Sequence, residues 1–383
     1  MNINIYGSTG VIGTKTLNLI DRNFPNLKIN LLCAKSNKRL LVKQINKYKP
    51  KYAFLYDASK FSKFNYKIGK TKILNFKDLF SYLNASKSNL SILAISGYKS
   101  LYFLEHIIKN TDNLGIASKE AIVSAGHIFK KNNFFKRANI FPLDSEHFSL
   151  FENLKNKSNK TNIKKIILTA SGGPFYKKKF NSLKNIKFSQ AIKHPKWKMG
   201  YKNSIDSATL VNKCLELIEA HYLFDISFDK LDILVHPQAI VHSVIEYKNC
   251  VTQFNSFKNN MDIPILNFLL FSKLKHNKII NNLYLDNYCN FNFEQVNNNV
   301  FPIYNLFKKI DKNNPKNFIN FNIGNEYAVN LFKNKIIKYT DIYKIIDKVL
   351  SLNLNSSVNN IKDIIKYHEE LEHKIQNLKK DFS

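Results

Sequence analysis

The stretch Ile3-Asn4-Ile5-Tyr6-Gly7-Ser8-Thr9-Gly10-Val11-Ile12-Gly13 constrains the fold more than any other part of the chain. A short run of strand character leads straight into three glycines spaced G-x-x-G-x-x-G, and Ile12, Leu17, Leu19 and Ile20 then suggest a helix packed on a sheet. Glycine permits a tight turn and lets backbone amides approach an anion at the helix start, where the dipole favours negative charge. Strand, glycine turn and helix form the first unit of a doubly wound α/β fold. Further strands are expected at Ile29–Cys33, Tyr52–Tyr56, Leu90–Ile95 and Leu114–Ala117, and their alternation with helical stretches implies a parallel sheet covered on both faces. The chain holds only 11 glycines, so three within seven positions mark a backbone requirement.

The spacing is a variant of the dinucleotide fingerprint, with a purely structural turn as the competing reading. The second strand ends at Cys33-Ala34-Lys35-Ser36, where an NAD-selective fold usually places an acidic residue against the ribose hydroxyls. Lysine and serine there suit a 2′-phosphate, so NADP is favoured over NAD; one more surface lysine is the alternative.

From about Pro142 the texture changes, and Gly, Pro, Ser, His and acidic residues concentrate up to about Pro264. In Pro142-Leu143-Asp144-Ser145-Glu146-His147 two carboxylates stand at i and i+2, a spacing that points both to one side of an extended backbone. Oxygen-only ligation suits Mg²⁺ or Mn²⁺, and a third anionic ligand is needed. The run from Ser204 to Glu216 offers one. Asp206 or Ser207 can cap a helix with an apolar stripe of Leu210, Val211, Cys214, Leu217 and Ile218, and Asn212, Lys213 and Glu216 share another face. A solvated Lys213–Glu216 ion pair is the competing reading.

Ser171-Gly172-Gly173-Pro174 forms a small-residue turn whose hydroxyl and amides suit a phosphate. The single tryptophan, Trp197, lies in His194-Pro195-Lys196-Trp197-Lys198-Met199-Gly200, a setting natural for a loop closing over a ligand, with a core role as the alternative. His236 and His242 follow an apolar run and read as structural. The expected architecture is a Rossmann-like doubly wound domain over 1–143, a central α+β catalytic domain over 144–274 with a flap at 171–201, a polar linker over 275–299, and a helical domain over 300–383.

Bulk composition bears on what this chain handles. The net charge of +31 invites a nucleic-acid reading, yet only Arg22, Arg39 and Arg137 are arginines, the residues best suited to bidentate phosphate and base contacts. The excess is dispersed lysine accompanied by Asn, Ile, Phe and Tyr, the mark of nucleotide bias rather than of a binding patch, so no nucleic-acid partner is expected. Cys33, Cys214, Cys250 and Cys289 are never at C-x-x-C spacing, and no apolar run spans a bilayer. The expectation is a cytoplasmic protein without a membrane partner.

Taken in order, GSTGVIG, ASKE (Ala117–Glu120), PLDSEH, ASGGPF, HPKWKMG, SIDSATLVNKCLELIEA, HPQAIVHS and the late Asn322-Ile323-Gly324-Asn325-Glu326 resemble the 1-deoxy-D-xylulose 5-phosphate reductoisomerase family along essentially the whole chain. The resemblance implies a homodimeric enzyme that uses NADPH and Mn²⁺, Mg²⁺ or Co²⁺ to isomerise and reduce a small phosphorylated sugar. It implies Asp144, Glu146 and Glu216 as metal ligands, with Lys119 and Ser145 beside the reacting end. Ser171, His194, Ser207, Asn212 and Lys213 would surround the substrate, with Glu216 and Trp197 also contacting it. NADPH would lie along Gly7, Thr9, Gly10, Val11, Ile12 and Gly13, near Ala34, Lys35 and Ser36, against Ser118, Lys119 and Glu120, and close to Gly200. Where the family commonly carries serine, asparagine and arginine, this chain has Val11, Ser118 and Tyr201. A semialdehyde dehydrogenase on the same plan would instead need a nucleophilic cysteine, and Cys214 falls in the apolar stripe of its helix.

Overall fold

Strands of apolar residues alternate with helices from the N-terminus, as the first fifty residues foretell. The computed structural model describes residues 1–57, 67–155, 160–196, 200–270, 283 and 290–376. Its first helices are α1 (Val11–Asn23), α2 (Lys38–Tyr48), α3 (Phe76–Ala85), α4 (Leu101–Lys109), α5 (Lys119–Lys131), α6 (Phe134–Arg137), α7 (Ser145–Leu154) and α8 (Phe188–Ala191). There follow α9 (Tyr201–Thr209), α10 (Val211–Phe224), α11 (Asp262–Leu270), α12 (Pro302–Lys309), α13 (Pro315–Lys333), α14 (Asp341–Leu350) and α15 (Ile361–Gln376). Two compact units result.

The first comprises Met1–Ala121, Phe129–Phe148 and Asn260–Asn281. Its strands are β1 (Asn2–Tyr6), β2 (Lys28–Ala34), β3 (Tyr52–Leu55), β4 (Lys67–Ile68), β5 (Thr71–Leu74), β6 (Ser88–Leu93), β7 (Thr111–Ile116) and β8 (Asn139–Pro142). They run in the order β4-β5-β3-β2-β1-β6-β7-β8, parallel but for β4. The four strands expected after the first are β2, β3, β6 and β7. Ile3 and Ile5 on one face of β1 and Asn4 on the other are all buried, which is the mark of a strand covered on both sides. Asn4 is satisfied there by the Tyr82 hydroxyl, which donates to its Oδ1 at 3.2 Å.

Strand order reverses at β1, with β2 on one side and β6 on the other, and doubly wound sheets bind ligands in the crevice beyond such a switch point. The glycine turn sits there. Gly7 has φ +96°, and a Cβ on it would lie 2.3 Å from the Ala94 carbonyl oxygen, just past the end of β6. A Cβ on Gly13 would lie 2.3 Å from the Gly7 carbonyl oxygen and 2.5 Å from Ser8 Cα. Backbone packs on backbone at both places. α11, read from sequence as part of the central segment, joins this unit: Asp262 pairs with Lys15 of α1 at 2.8 Å, and Phe268 packs on Phe141.

The second unit comprises Ile122–Ile128, Ser149–Asn259 and Asn282–Ser383. Its sheet is built from β9 (Ile163–Ala170), β10 (Leu231–Val235), β11 (Val241–Tyr247), β12 (Thr252–Ser256) and β13 (Glu294–Gln295) in the order β12-β11-β9-β10-β13. Only β9 and β10 are parallel. α10 lies on β9 and β10 and also packs against α12 and α13, so Cys214, Leu215, Glu216, Leu217 and Ile218 are all buried. The helices expected after residue 300 are α12 to α15, and they share this unit with α10. Residues 290–299, expected to be linker, instead supply β13, which pairs with β10, and Asn292, whose carbonyl is bonded to His236 Nδ1 at 2.8 Å. The rest of that expected linker, Leu283 apart, lies outside the described residues.

Gly7→Ala and Gly13→Ala should each lower stability by about 1–3 kcal/mol. Gly10→Ala, whose Cβ would approach no neighbour closer than 3.3 Å, should cost less; chemical denaturation of the three variants checks the order.

Candidate active site

At the nucleotide end, the amides of Gly7 and Ser8 both donate to the Cys33 carbonyl, at 2.9 and 2.8 Å, and Gly10 N donates to Gly7 O at 3.0 Å. These bonds fix the turn, and Gly10 opens α1 with extended backbone and no side-chain cap. Thr9, Gly10, Val11 and Ile12 therefore line the positive end of a helix without a competing carboxylate in its first turn. Val11 is exposed. Beyond β2, Ala34, Lys35 and Ser36 lead to Asn37, which caps α2 by accepting from Leu40 N at 3.1 Å. A cleft of about 640 Å³ opens there, lined by Ser36, Asn37, Lys38, Arg39, Val42 and Lys43. The asparagine cap followed by Lys-Arg is the sequence signal for this cleft, which extends past Ser36.

Ser118 is turned inward. Its hydroxyl donates to Ile95 O at 2.7 Å and to Leu93 O at 3.2 Å, so it ties the exits of β6 and β7 together. Glu120 is buried in the first turn of α5. Beside it, Lys119 Nζ lies 2.5 Å from Asp144 Oδ2 with both side chains largely shielded.

The expected extended Asp144–Glu146 segment is corrected by the structure. Ser145 begins α7, and Asp144 precedes it as a cap, with Oδ1 accepting from Glu146 N at 3.1 Å and His147 N at 3.4 Å. An aspartate before a helix whose first turn carries a glutamate satisfies the free amides and the dipole at once, and that preference wins over the extended alternative. Asp144 keeps Oδ2 toward Lys119, while Ser145 Oγ donates to Glu146 Oε2 at 2.9 Å.

In the second unit the expected single helix over Asp206 to Glu216 is two. α9 runs through Asp206 and Ser207, the chain turns at Leu210 with φ +68°, and α10 begins at Val211. Neither Asp206 nor Ser207 is a cap. The shared face of Asn212, Lys213 and Glu216 does form: Lys213 Nζ donates to Glu216 Oε2 at 2.6 Å, and Asn212 Nδ2 donates to Oε1. Glu216 is 0% exposed and Lys213 7%, which disposes of a solvated surface pair.

Ser171, His194 and Ser207, scattered in sequence, meet around one imidazole. His194 Nε2 lies 3.0 Å from both serine hydroxyls, and Ser171 Oγ also accepts from Gly173 N at 3.2 Å. Lys196 N donates to His194 Nδ1 at 3.1 Å. Nδ1 is thus an acceptor, leaving the proton on Nε2 to point between the serines. Hydroxyls, an imidazole N–H and the Gly172–Gly173 turn make a small anion-binding cradle. Gly200 opens α9. Trp197, with Lys198 and Met199, lies outside the described residues. His236 stacks on Phe293 and His242 on Phe257, in keeping with structural roles. Asp144 and Glu146 stand at the start of α7 in the first unit and Glu216 on α10 in the second, each with a carboxylate oxygen of the kind that ligates a hard metal ion.

Three family models cover most of the chain: 1-deoxy-D-xylulose 5-phosphate reductoisomerase over residues 3–126, its C-terminal domain over 140–224, and a DXP reductoisomerase C-terminal domain over 258–374. The 1-deoxy-D-xylulose 5-phosphate reductoisomerase of Clostridium tetani is 36% identical over 369 residues, 95% of this chain and 96% of that one. This chain belongs to the 1-deoxy-D-xylulose 5-phosphate reductoisomerase family. The reductoisomerase of Pelagibacter ubique is 34% identical, covering 91% and 90% of the two chains. Among solved structures, the reductoisomerase from Zymomonas mobilis in complex with NADPH superposes with a TM-score of 0.87 at 28% identity, over 99% of this chain and 98% of that one. A DOX-P reductoisomerase in complex with NADPH, fosmidomycin and magnesium gives 0.88 at 26%, with the same coverage.

Asp144→Ala should lower metal-free stability by about 1 kcal/mol through loss of the α7 cap, and Asp144→Asn should restore most of it. Urea unfolding with chelator present separates the cap from any metal contribution.

Proposed function

We propose that this chain catalyses the NADPH- and divalent-metal-dependent isomerisation and reduction of 1-deoxy-D-xylulose 5-phosphate to 2-C-methyl-D-erythritol 4-phosphate, in the non-mevalonate route to isoprenoid precursors. What carries this reading is membership of the reductoisomerase family along nearly the whole chain, with the carboxylates of Asp144, Glu146 and Glu216 as the metal's ligands. Carboxylate oxygens alone fit a hard divalent cation, Mg²⁺ or Mn²⁺, with Co²⁺ also acceptable. The likeness to a reductoisomerase complexed with NADPH, fosmidomycin and magnesium supports it.

When bound, the cation supplies Lewis acidity at the substrate's oxygens, worth several kcal/mol of oxyanion stabilisation. NADPH supplies the hydride. The protein's part is positioning and charge. Asp144 is pre-oriented as a helix cap, and Glu146 shares its own carboxylate with the Ser145 hydroxyl. Lys119, held at Asp144, brings a second positive charge and a proton donor to the reacting end. Lys213 and Asn212 fix the Glu216 carboxylate and face the substrate. Ser171, His194 and Ser207 clamp the phosphate, and the flap over 171–201 with Trp197 closes on it, so that binding energy remote from the chemistry excludes water.

For the cofactor, the Gly7–Gly13 turn takes the pyrophosphate, while Lys35, Ser36 and the adjoining cleft with Arg39 take the 2′-phosphate. Ser118, Glu120 and Gly200 lie further along the nucleotide. The parallel sheet serves the cofactor, residues 144–259 the metal and substrate, and the helices after residue 300 support them. The enzyme acts as a cytoplasmic homodimer with no nucleic-acid or membrane partner; no helix among the described residues is long and apolar enough to cross a membrane. A semialdehyde-dehydrogenase reading fails on Cys214, which is fully buried, with its thiol pushed far above the ordinary value by desolvation.

NADPH oxidation with 1-deoxy-D-xylulose 5-phosphate is expected only when Mg²⁺ or Mn²⁺ is present; turnover surviving thorough chelation would refute the reading. Glu216→Gln should reduce the rate by about 100-fold or more with an unchanged circular dichroism spectrum. Lys35→Ala should raise KM for NADPH about tenfold, the effect of one lost charged hydrogen bond, and leave KM for NADH nearly unchanged.

A further inference from the structure

α9 carries Ser207 to the imidazole of His194, and the residues on either side of Ser207 are held by α13 and by the turn that leads into α14. Asp206 is 1% exposed, and its Oδ1 accepts from Asn325 Nδ2 of α13 at 2.8 Å, while Oδ2 accepts from Lys202 at 2.9 Å. On the other side of Ser207, the buried Tyr339 hydroxyl donates to the Ala208 carbonyl at 2.7 Å. Asn325 is 0% exposed, and its Oδ1 has no hydrogen-bond partner among the described residues. An acceptor left idle in the interior is a cost, so the amide is retained for the bond its nitrogen makes to Asp206.

The two grips act on a joint with no slack. A Cβ on Gly173 would lie 2.9 Å from the Ser207 carbonyl oxygen and 3.1 Å from Ala208 Cα, so the turn after Ser171 is pressed onto the backbone of α9. Below it, Tyr339 also meets Phe175 edge-on at 5.4 Å between ring centroids. Two residues beyond Ala208, Leu210 caps α9 in the left-handed region, so Ser207 sits in the last turn of its helix.

We propose that Asn325 and Tyr339 are positioning residues for phosphate binding: through Asp206 and the Ala208 carbonyl, they set Ser207 at hydrogen-bond distance from His194, the imidazole that Ser171 also meets. The inference rests on the reading of Ser171, His194 and Ser207 as the phosphate clamp. It gives the C-terminal helices a part in substrate affinity rather than in the chemical step.

The test uses the full chain with NADPH and Mg²⁺, measuring kcat, KM for 1-deoxy-D-xylulose 5-phosphate, and Ki for inorganic phosphate as a competitor. Tyr339→Phe removes one hydroxyl and no ring. It should raise both KM and Ki about tenfold, the effect of one lost hydrogen bond, with kcat within about twofold. Asn325→Leu should do the same, and if it fails to fold, Tyr339→Phe alone decides. Unchanged KM and Ki in Tyr339→Phe, or a fall in kcat that tracks a fall in folded fraction at constant KM, overturns the proposal. His194→Ala separates the two readings. If it loses phosphate inhibition while Tyr339→Phe does not, positioning fails and the clamp stands; if it retains phosphate inhibition, the clamp reading fails and the positioning role with it.

Discussion

A carboxylate withdrawn entirely from water must be met by positive charge, because its desolvation costs several kcal/mol that one hydrogen bond does not offset. Glu216 lives under that constraint. Lys213 sits one helical turn before it, and Asn212 binds its other oxygen, so α10 arrives with its anion oriented and partly compensated. With the metal ligation proposed for Glu216, a divalent cation would complete the compensation and tie metal affinity to the burial of this helix. Sheet on one face and helices on the other keep α10 dry, and hence keep the balance strict.

The nucleotide end obeys a different rule, of space rather than charge. Nothing larger than hydrogen fits at Gly7 or Gly13, because each Cβ would fall within 2.3 Å of a carbonyl oxygen. The switch point of the sheet is therefore paved with main chain, whose first amides are spent on fixing the turn itself. Charge enters at its edge, where the end of β2 meets the capped start of α2 and Lys38, Arg39 and Lys43 line a cleft.

Local periodicity made the parallel sheet legible, and helical spacing alone put Asn212, Lys213 and Glu216 on one face. What escaped was decided at longer range or by competing local preferences. Asp144 and Glu146 satisfy both an extended and a capped-helix pattern, and the cap prevails because it answers the first amides of α7. Leucine does not favour the left-handed region, so the break at Leu210 could not be read from residue type. The Asn-rich stretch before residue 300 looked like linker by composition, yet Glu294–Gln295 pair with β10, a register that only the folded sheet supplies. Asp206 finds Asn325 119 positions away, beyond the reach of any spacing rule.

The glycine turns have a bearing on how such a chain has changed over time. With 59 lysines and arginines, most of them lysine, and only 11 glycines, its composition has been pulled toward amino acids whose abundance owes little to structure. Against that background the glycines that packing requires are informative, while Gly69 and Gly200 face open space. Gly7, Gly13, Gly172 and Gly173 stand where a methyl group would strike a backbone or a neighbouring ring. At these points the packing leaves no room for a larger residue, so in a chain this poor in glycine they mark the turns where main chain meets its neighbours most closely.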